Sequence, residues 1–111
     1  MSNSDTVLRD NLHAVQARIA AACAASARSA NSVQLLAVSK TFSADDVRQV
    51  AAYGQRDFGE NYIQEGVDKI IALQTIQPAL VWHCIGPMQS NKTKLVAEHF
   101  DWAHTVDRLK I

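Results

Sequence analysis

The sequence predicts an α/β fold with parallel strands, because strand-like segments recur at a nearly constant step. Their starts fall at residues 34, 57, 80 and 102, so the steps are 23, 23 and 22 residues. Each step holds one strand and one helix, and parallel neighbours need a crossover of that size. The second observation is where the polar residues lie. The carboxyl ends of the segments carry Ser39, Lys40 and Thr41; Glu60, Asn61 and Tyr62; Gly86 with Gln89, Ser90, Asn91 and Lys92; and Thr105 with Asp107. The opposite ends carry only Gln34, Asp57 and Asp101. Both a (β/α) barrel and a doubly wound sheet meet ligands at the carboxyl ends of their strands, and the period suits either.

Ahead of these units, residues 4–28 read as a helix. Ser4 is placed to cap it, and Asp5 sits in the first turn, where the helix dipole favours a carboxylate. Leu8, Leu12, Val15, Ile19 and Ala22 form one stripe,. The polar stretch from Ser29 ends the helix. Residues 34–40 (QLLAVSK) read as a buried strand. Ser43 then opens a helix in a capping-box-like pattern with Asp46, with Val47, Val50 and Ala51 on its buried face and Gly54 ending it in a left-handed turn. Residues 57–62 (DFGENY) are the second strand. The helix of about 64–74 follows, with Ile63, Val67, Ile70 and Ile71 on one face. Residues 80–86 (LVWHCIG) are the third and clearest strand, and Pro87 ends its ladder. Ser90 or Asn91 is placed to cap a short helix containing Leu95 and Val96, and residues 102–107 read as the fourth strand.

Hydrophobic residues make up 48% of the 111, enough for a core,. Eleven basic residues balance eleven acidic ones, which argues against a non-specific nucleic-acid or membrane-surface binder. The polar start MSNSDTV lacks the pattern of a signal peptide, and no apolar run approaches the roughly 20 residues of a membrane span. Cys23 and Cys84 form no CxxC pair and read as reduced, buried residues of a cytoplasmic protein. No linker is evident, so residues 1–111 read as one domain, with four βα units over 34–111. Four units are half of an eight-unit barrel, which needs about 250 residues, and Arg108–Ile111 look like the start of a fourth helix. The expectation is therefore one part of a longer barrel, with a complete four-stranded domain as the alternative. Four strands on their own leave an open edge, so this length of chain is expected to self-associate.

Lys40 is the sharpest candidate for chemistry. Strand alternation puts Leu36, Val38 and Lys40 on one face. If that face lines a barrel, the amine stands at the mouth, where desolvation would lower its pKa and free it to attack an aldehyde. On spacing alone, a solvated loop lysine is the commoner outcome. His83 is another candidate for the barrel mouth, although a satisfied core histidine is more usual. His83, Cys84, His99 and His104 match no standard zinc spacing. Lys92 and Lys94 beside Ser90 and Asn91 would oppose the helix dipole there, which favours a solvated first turn over a phosphate site. Glu60 has the chemistry of a general base but no evident partner.

The segments LLAVSKT, FGENYIQEGVDKI and WHCIGPMQSNK, in that order, resemble the pyridoxal phosphate homeostasis proteins, and FDWAHTVDRLKI is similar to that family's fourth strand and the helix after it. The resemblance implies the N-terminal half of a (β/α)8 TIM-type barrel, related to the N-terminal domain of alanine racemase and preceded by an extra helix. It implies that Lys40 carries pyridoxal 5'-phosphate as an internal aldimine and that Asn61 is a polar neighbour of the cofactor. It also implies a cytoplasmic, monomeric whole protein of vitamin B6 homeostasis without established turnover. The family's phosphate cradle and the partner of the pyridine nitrogen lie in its C-terminal half, so weak binding by these residues alone is expected. The alternative is a racemase-like enzyme using Lys40 as base, which needs a second acid/base from another domain.

Overall fold

The computed structural model describes residues 3–104. They fall into two compact units that divide between Leu35 and Leu36, where the sequence suggests one domain. Thr105, Asp107 and the start of a fourth helix lie outside the described residues.

The first unit is α1 (Asn3–Ala25) followed by a 3₁₀ turn at Ala30–Ser32. Ser4 lies inside the helix and so does not precede it as a cap. Leu12 and Cys23 are buried, Leu8 and Ile19 half-buried, and Val15 and Ala22 exposed. The buried stripe is therefore centred between Leu12 and Cys23, and Val15 and Ala22 fall on its margin. The helix closes through two crossed bonds: Arg28 N–H donates to Cys23 O at 2.8 Å and Ala27 N–H to Ala24 O at 3.2 Å. This is a Schellman turn, and Ala27 occupies its left-handed position at φ 56°,. Left-handed backbone crowds a Cβ against the carbonyl, at about 1 kcal/mol. Ala27→Gly is expected to raise stability by roughly 0.5–1 kcal/mol, read as an increase in the urea midpoint of the helical signal.

The second unit alternates β1 (Ala37–Val38), α2 (Ala44–Ala52), β2 (Asp57–Glu60), α3 (Ile63–Ala72), β3 (Val81–Cys84), α4 (Thr93–His99) and β4 (Trp102–Ala103). The sheet order is β1-β2-β3-β4 and every pairing is parallel. Strand order that follows chain order, joined by right-handed crossovers, puts every helix on one face. A doubly wound sheet reverses direction and covers both faces, so the order selects the barrel type.

Ala37, Phe58 and Trp82 stand in register on the helix-covered face. They pack with Val47 and Ala51 of α2, Leu73 and Leu80, and the Phe58 and Trp82 rings lie 5.7 Å apart. A second cluster joins Ile63 and Val67 of α3 to Cys84, Met88 and Val96. The opposite row is Val38, Gly59, His83 and Trp102. Val38 and Trp102 remain 46% and 61% exposed there.

Boundaries shift from the sequence expectation at β1 and before α4, while those of the first crossover helix hold. Only Ala37–Val38 of residues 34–40 enters the ladder, extended by Ser39 N–H donating to Gly59 O at 2.9 Å. Ser43 caps α2 by accepting from Asp46 N–H, and Gly54 follows at φ 103°. Ser90 and Asn91, however, belong to a 3₁₀ turn, and α4 starts at Thr93, whose hydroxyl donates to Ser90 O at 2.9 Å.

Candidate functional site

The carboxyl end of β1 runs straight into a tight turn. Phe42 N–H donates to Ser39 O at 3.1 Å, so Lys40 and Thr41 are its two central residues. Thr41 has φ 66°, a left-handed conformation that a β-branched residue adopts only when its surroundings impose it. Lys40 is exposed, and no ion pair holds its ammonium among the described residues. Its backbone belongs to the turn and not to the strand, since Ser39 makes the last bond to β2. The desolvation that the sequence argument attaches to this amine is not supplied by the described residues: any dry wall over it has to come from elsewhere.

The turn is held from the helix side. Ser39 is buried, and its hydroxyl donates to the Glu60 carboxylate. Glu60 shares the parity of Phe58, so it points under the helices, where its side chain is 0% exposed. Lys69 of α3 meets it at 3.1 Å and also donates to Ser39 O at 2.6 Å. Lys69 further pairs with Glu65 at 2.9 Å, and Glu65 accepts the Thr41 N–H at 2.8 Å. The hydrogen bond from Lys69 holds the Glu65 carboxyl below its ordinary value; partial burial opposes this and the Thr41 N–H adds to it. Glu60 is thus a buried, paired anchor and not the free general base that its rim position suggests. Gly66 makes the close packing possible, since a Cβ there would meet Phe100 at 2.7 Å and the Glu60 side chain at 3.1 Å.

Asn61 follows β2, and its Oδ1 is buried without a hydrogen-bond partner. A buried polar atom without a partner is costly and uncommon, so this one is an open acceptor beside the rim. Asn61 lines a cleft of about 460 Å³ with Tyr62, Gln64, Pro87, Gln89 and Lys92; neither Lys40 nor His83 is among its walls.

His83 lies half-buried on the face opposite the helices, level with Gly59. Its Nε2 meets Asp57 Oδ1 at 2.9 Å, and its Nδ1 meets His104 Nε2 at 2.8 Å. Both ring nitrogens are thus engaged, one by a carboxylate and the other by a second imidazole,. The Trp102 ring lies nearly parallel to that of His83, at 8°. His83 is therefore tied to the start of β2 on one side and to the residue just past β4 on the other. Its neighbour Cys84 points under the helices, and burial raises that thiol's pKa against a weaker lowering by the Gly86 backbone. Both cysteines are free, and no helix of the described residues is long and apolar enough to cross a membrane.

Four parallel strands in chain order, helices on one face and a polar rim at the strand ends define part of a TIM-type (β/α) barrel. No family model matches the chain. It is 55% identical over 106 residues to the pyridoxal phosphate homeostasis protein of Vibrio cholerae serotype O1, covering 94% of this chain and 45% of that protein. It is also 55% identical over 102 residues to the protein of the same name from Escherichia coli K12, covering 91% and 44%. PipY of Synechococcus elongatus PCC7942, solved with pyridoxal phosphate bound, matches at 50% identity and TM-score 0.67, over 70% of this chain and 36% of that one. An uncharacterised protein of Bifidobacterium adolescentis matches at 30% identity and TM-score 0.84, over 96% and 47%. The chain spans less than half the length of these relatives. Over that span it is similar to the pyridoxal phosphate homeostasis proteins at about half of its positions.

Proposed function

We propose that this chain supplies the lysine side of a pyridoxal 5'-phosphate site in vitamin B6 homeostasis, with Lys40 holding the cofactor as a Schiff base. The observation that carries the reading is an exposed Lys40 amine, without an ion pair among the described residues, in the turn that follows the carboxyl end of β1. When bound, the cofactor would supply an aldehyde, and the Lys40 amine would hold it through one C=N bond with release of one water. The open acceptor at Asn61 fits a polar neighbour of such a group. His83, with both ring nitrogens engaged, fits a supporting place better than a direct contact. The whole protein is cytoplasmic and monomeric on this reading. It stores or delivers the aldehyde and does not turn over a substrate, a reading supported by the name of the relatives as homeostasis proteins.

Borohydride reduction in the presence of pyridoxal 5'-phosphate, followed by peptide mass spectrometry, tests the assignment. Lys40 is expected to carry the label ahead of the exposed Lys94, with weak saturation by absorbance. Label spread equally over Lys40 and Lys94 would refute the site. Racemisation of alanine by the chain would overturn the non-catalytic part in favour of a racemase-like enzyme.

A further inference from the structure

We propose that Glu65 is a positioning residue for Lys40, acting through the turn that presents it; this rests on the reading of Lys40 as the cofactor-holding amine. Lys40 is gripped on both flanks by hydrogen bonds that originate on α3. On one side, Lys69 Nζ donates to Ser39 O at 2.6 Å, while the Ser39 hydroxyl is bound by Glu60. On the other, Glu65 Oε1 accepts the Thr41 N–H at 2.8 Å. Lys69 links the two grips, because it binds Glu60 at 3.1 Å and Glu65 at 2.9 Å.

The two grips differ in kind. The Glu60–Lys69 pair is almost wholly buried, with side chains 0% and 7% exposed, and belongs to the core. Glu65 is 35% exposed and adds little to that core. What Glu65 contributes is local. Thr41 sits at φ 66°, against the preference of a β-branched residue,. Such a conformation persists when the surroundings over-determine it. A carboxylate receiving the Thr41 N–H does so, and a charged acceptor is stronger than a neutral one. Without it, Thr41 relaxes toward negative φ, the turn opens, and the Cα–Cβ direction of Lys40 is no longer fixed. An amine that must meet an aldehyde from one direction loses rate when it samples several.

The test is the ratio of Lys40 to Lys94 labelling by pyridoxal 5'-phosphate and borohydride in the full chain, with far-UV circular dichroism confirming the fold. Lys94 is an exposed lysine of the same molecule and cancels differences in reagent. Glu65→Ala is expected to lower the ratio roughly tenfold, on the scale by which misplacement of a reacting group costs rate. Glu65→Gln keeps an oxygen acceptor for Thr41 N–H and is expected to stay within roughly threefold of wild type, since a neutral acceptor is weaker by about half. If Glu65→Ala fails to fold, Glu65→Met keeps the aliphatic stem over Lys69 and takes its place, with the same loss expected. A wild-type ratio near unity defeats the Lys40 reading itself. A selective wild type whose ratio survives both Glu65→Ala and Glu65→Met overturns the positioning role alone.

Discussion

Lys69→Met is expected to destabilise the chain by about 3–5 kcal/mol, the cost of removing one partner from a buried ion pair. Methionine nearly matches the length of lysine, so little volume is lost. What is lost is, among the described residues, the only cation paired with a Glu60 carboxylate that is 0% exposed. Ser39 O also loses its donor. Replacing both partners, as in Lys69→Met with Glu60→Leu, is expected to recover much of the loss, because the penalty comes mainly from the stranded charge. Urea unfolding of wild type, both single variants and the double variant measures this as a double-mutant cycle. Additive single effects would show that the two groups do not depend on each other.

Gly86→Ala is the second large effect, and it comes from sterics alone. A Cβ built on Gly86 would lie 2.2 Å from Asn61 O and 2.8 Å from Asn61 C and Cα. Those are backbone atoms at the end of β2, so the clash is relieved only by moving the chain. Overpacking of this kind costs typically 1–3 kcal/mol and more where backbone must shift, so about 3 kcal/mol is expected. Gly59→Ala is the internal comparison. Its Cβ would meet Ile85 Cδ1 at 3.0 Å, the far end of a flexible side chain that can swing aside. The melting temperature of the Gly86 variant should therefore fall well below that of the Gly59 variant. Equal melting temperatures would mean that the β2 and β3 ends do not approach as closely as described.

Much of the fold is legible in residue order because its signals are local. The step of 22 to 23 residues, the Ser43 cap, Gly54 and the period-two run through Trp82 and Cys84 each depend on neighbours within a turn or a strand. Lys40 was legible for the same reason: it ends an apolar run, and the AVSK and FGEN segments resemble a known family. The errors share a different cause. Ile71 reads as part of the buried face of α3, yet it is 50% exposed, while Lys69 and Gly66 occupy that face. Hydrophobicity assigns lysine to water unless a buried carboxylate awaits it, and that carboxylate lies on another element. Glu65 and Lys69 were visible as a pair four residues apart on a helix, but such pairs are ordinarily surface features. For His83, strand parity gives the face, while its partners Asp57 and His104 come from two other strands and are not legible locally.

By itself, then, the sequence determined the alternation of strands and helices, the position of Lys40 at a strand end, and the likeness to one half of a pyridoxal phosphate homeostasis protein. Tertiary structure alone decided that Glu60 points under the helices, that Lys69 is buried against it, that Glu65 reaches the turn around Lys40, and that His83 is tied to Asp57 and His104. The physical reason is range. Periodicity and capping are energies between residues a few positions apart, whereas the pairing of a buried charge depends on groups up to 30 residues apart that meet only once the sheet has formed.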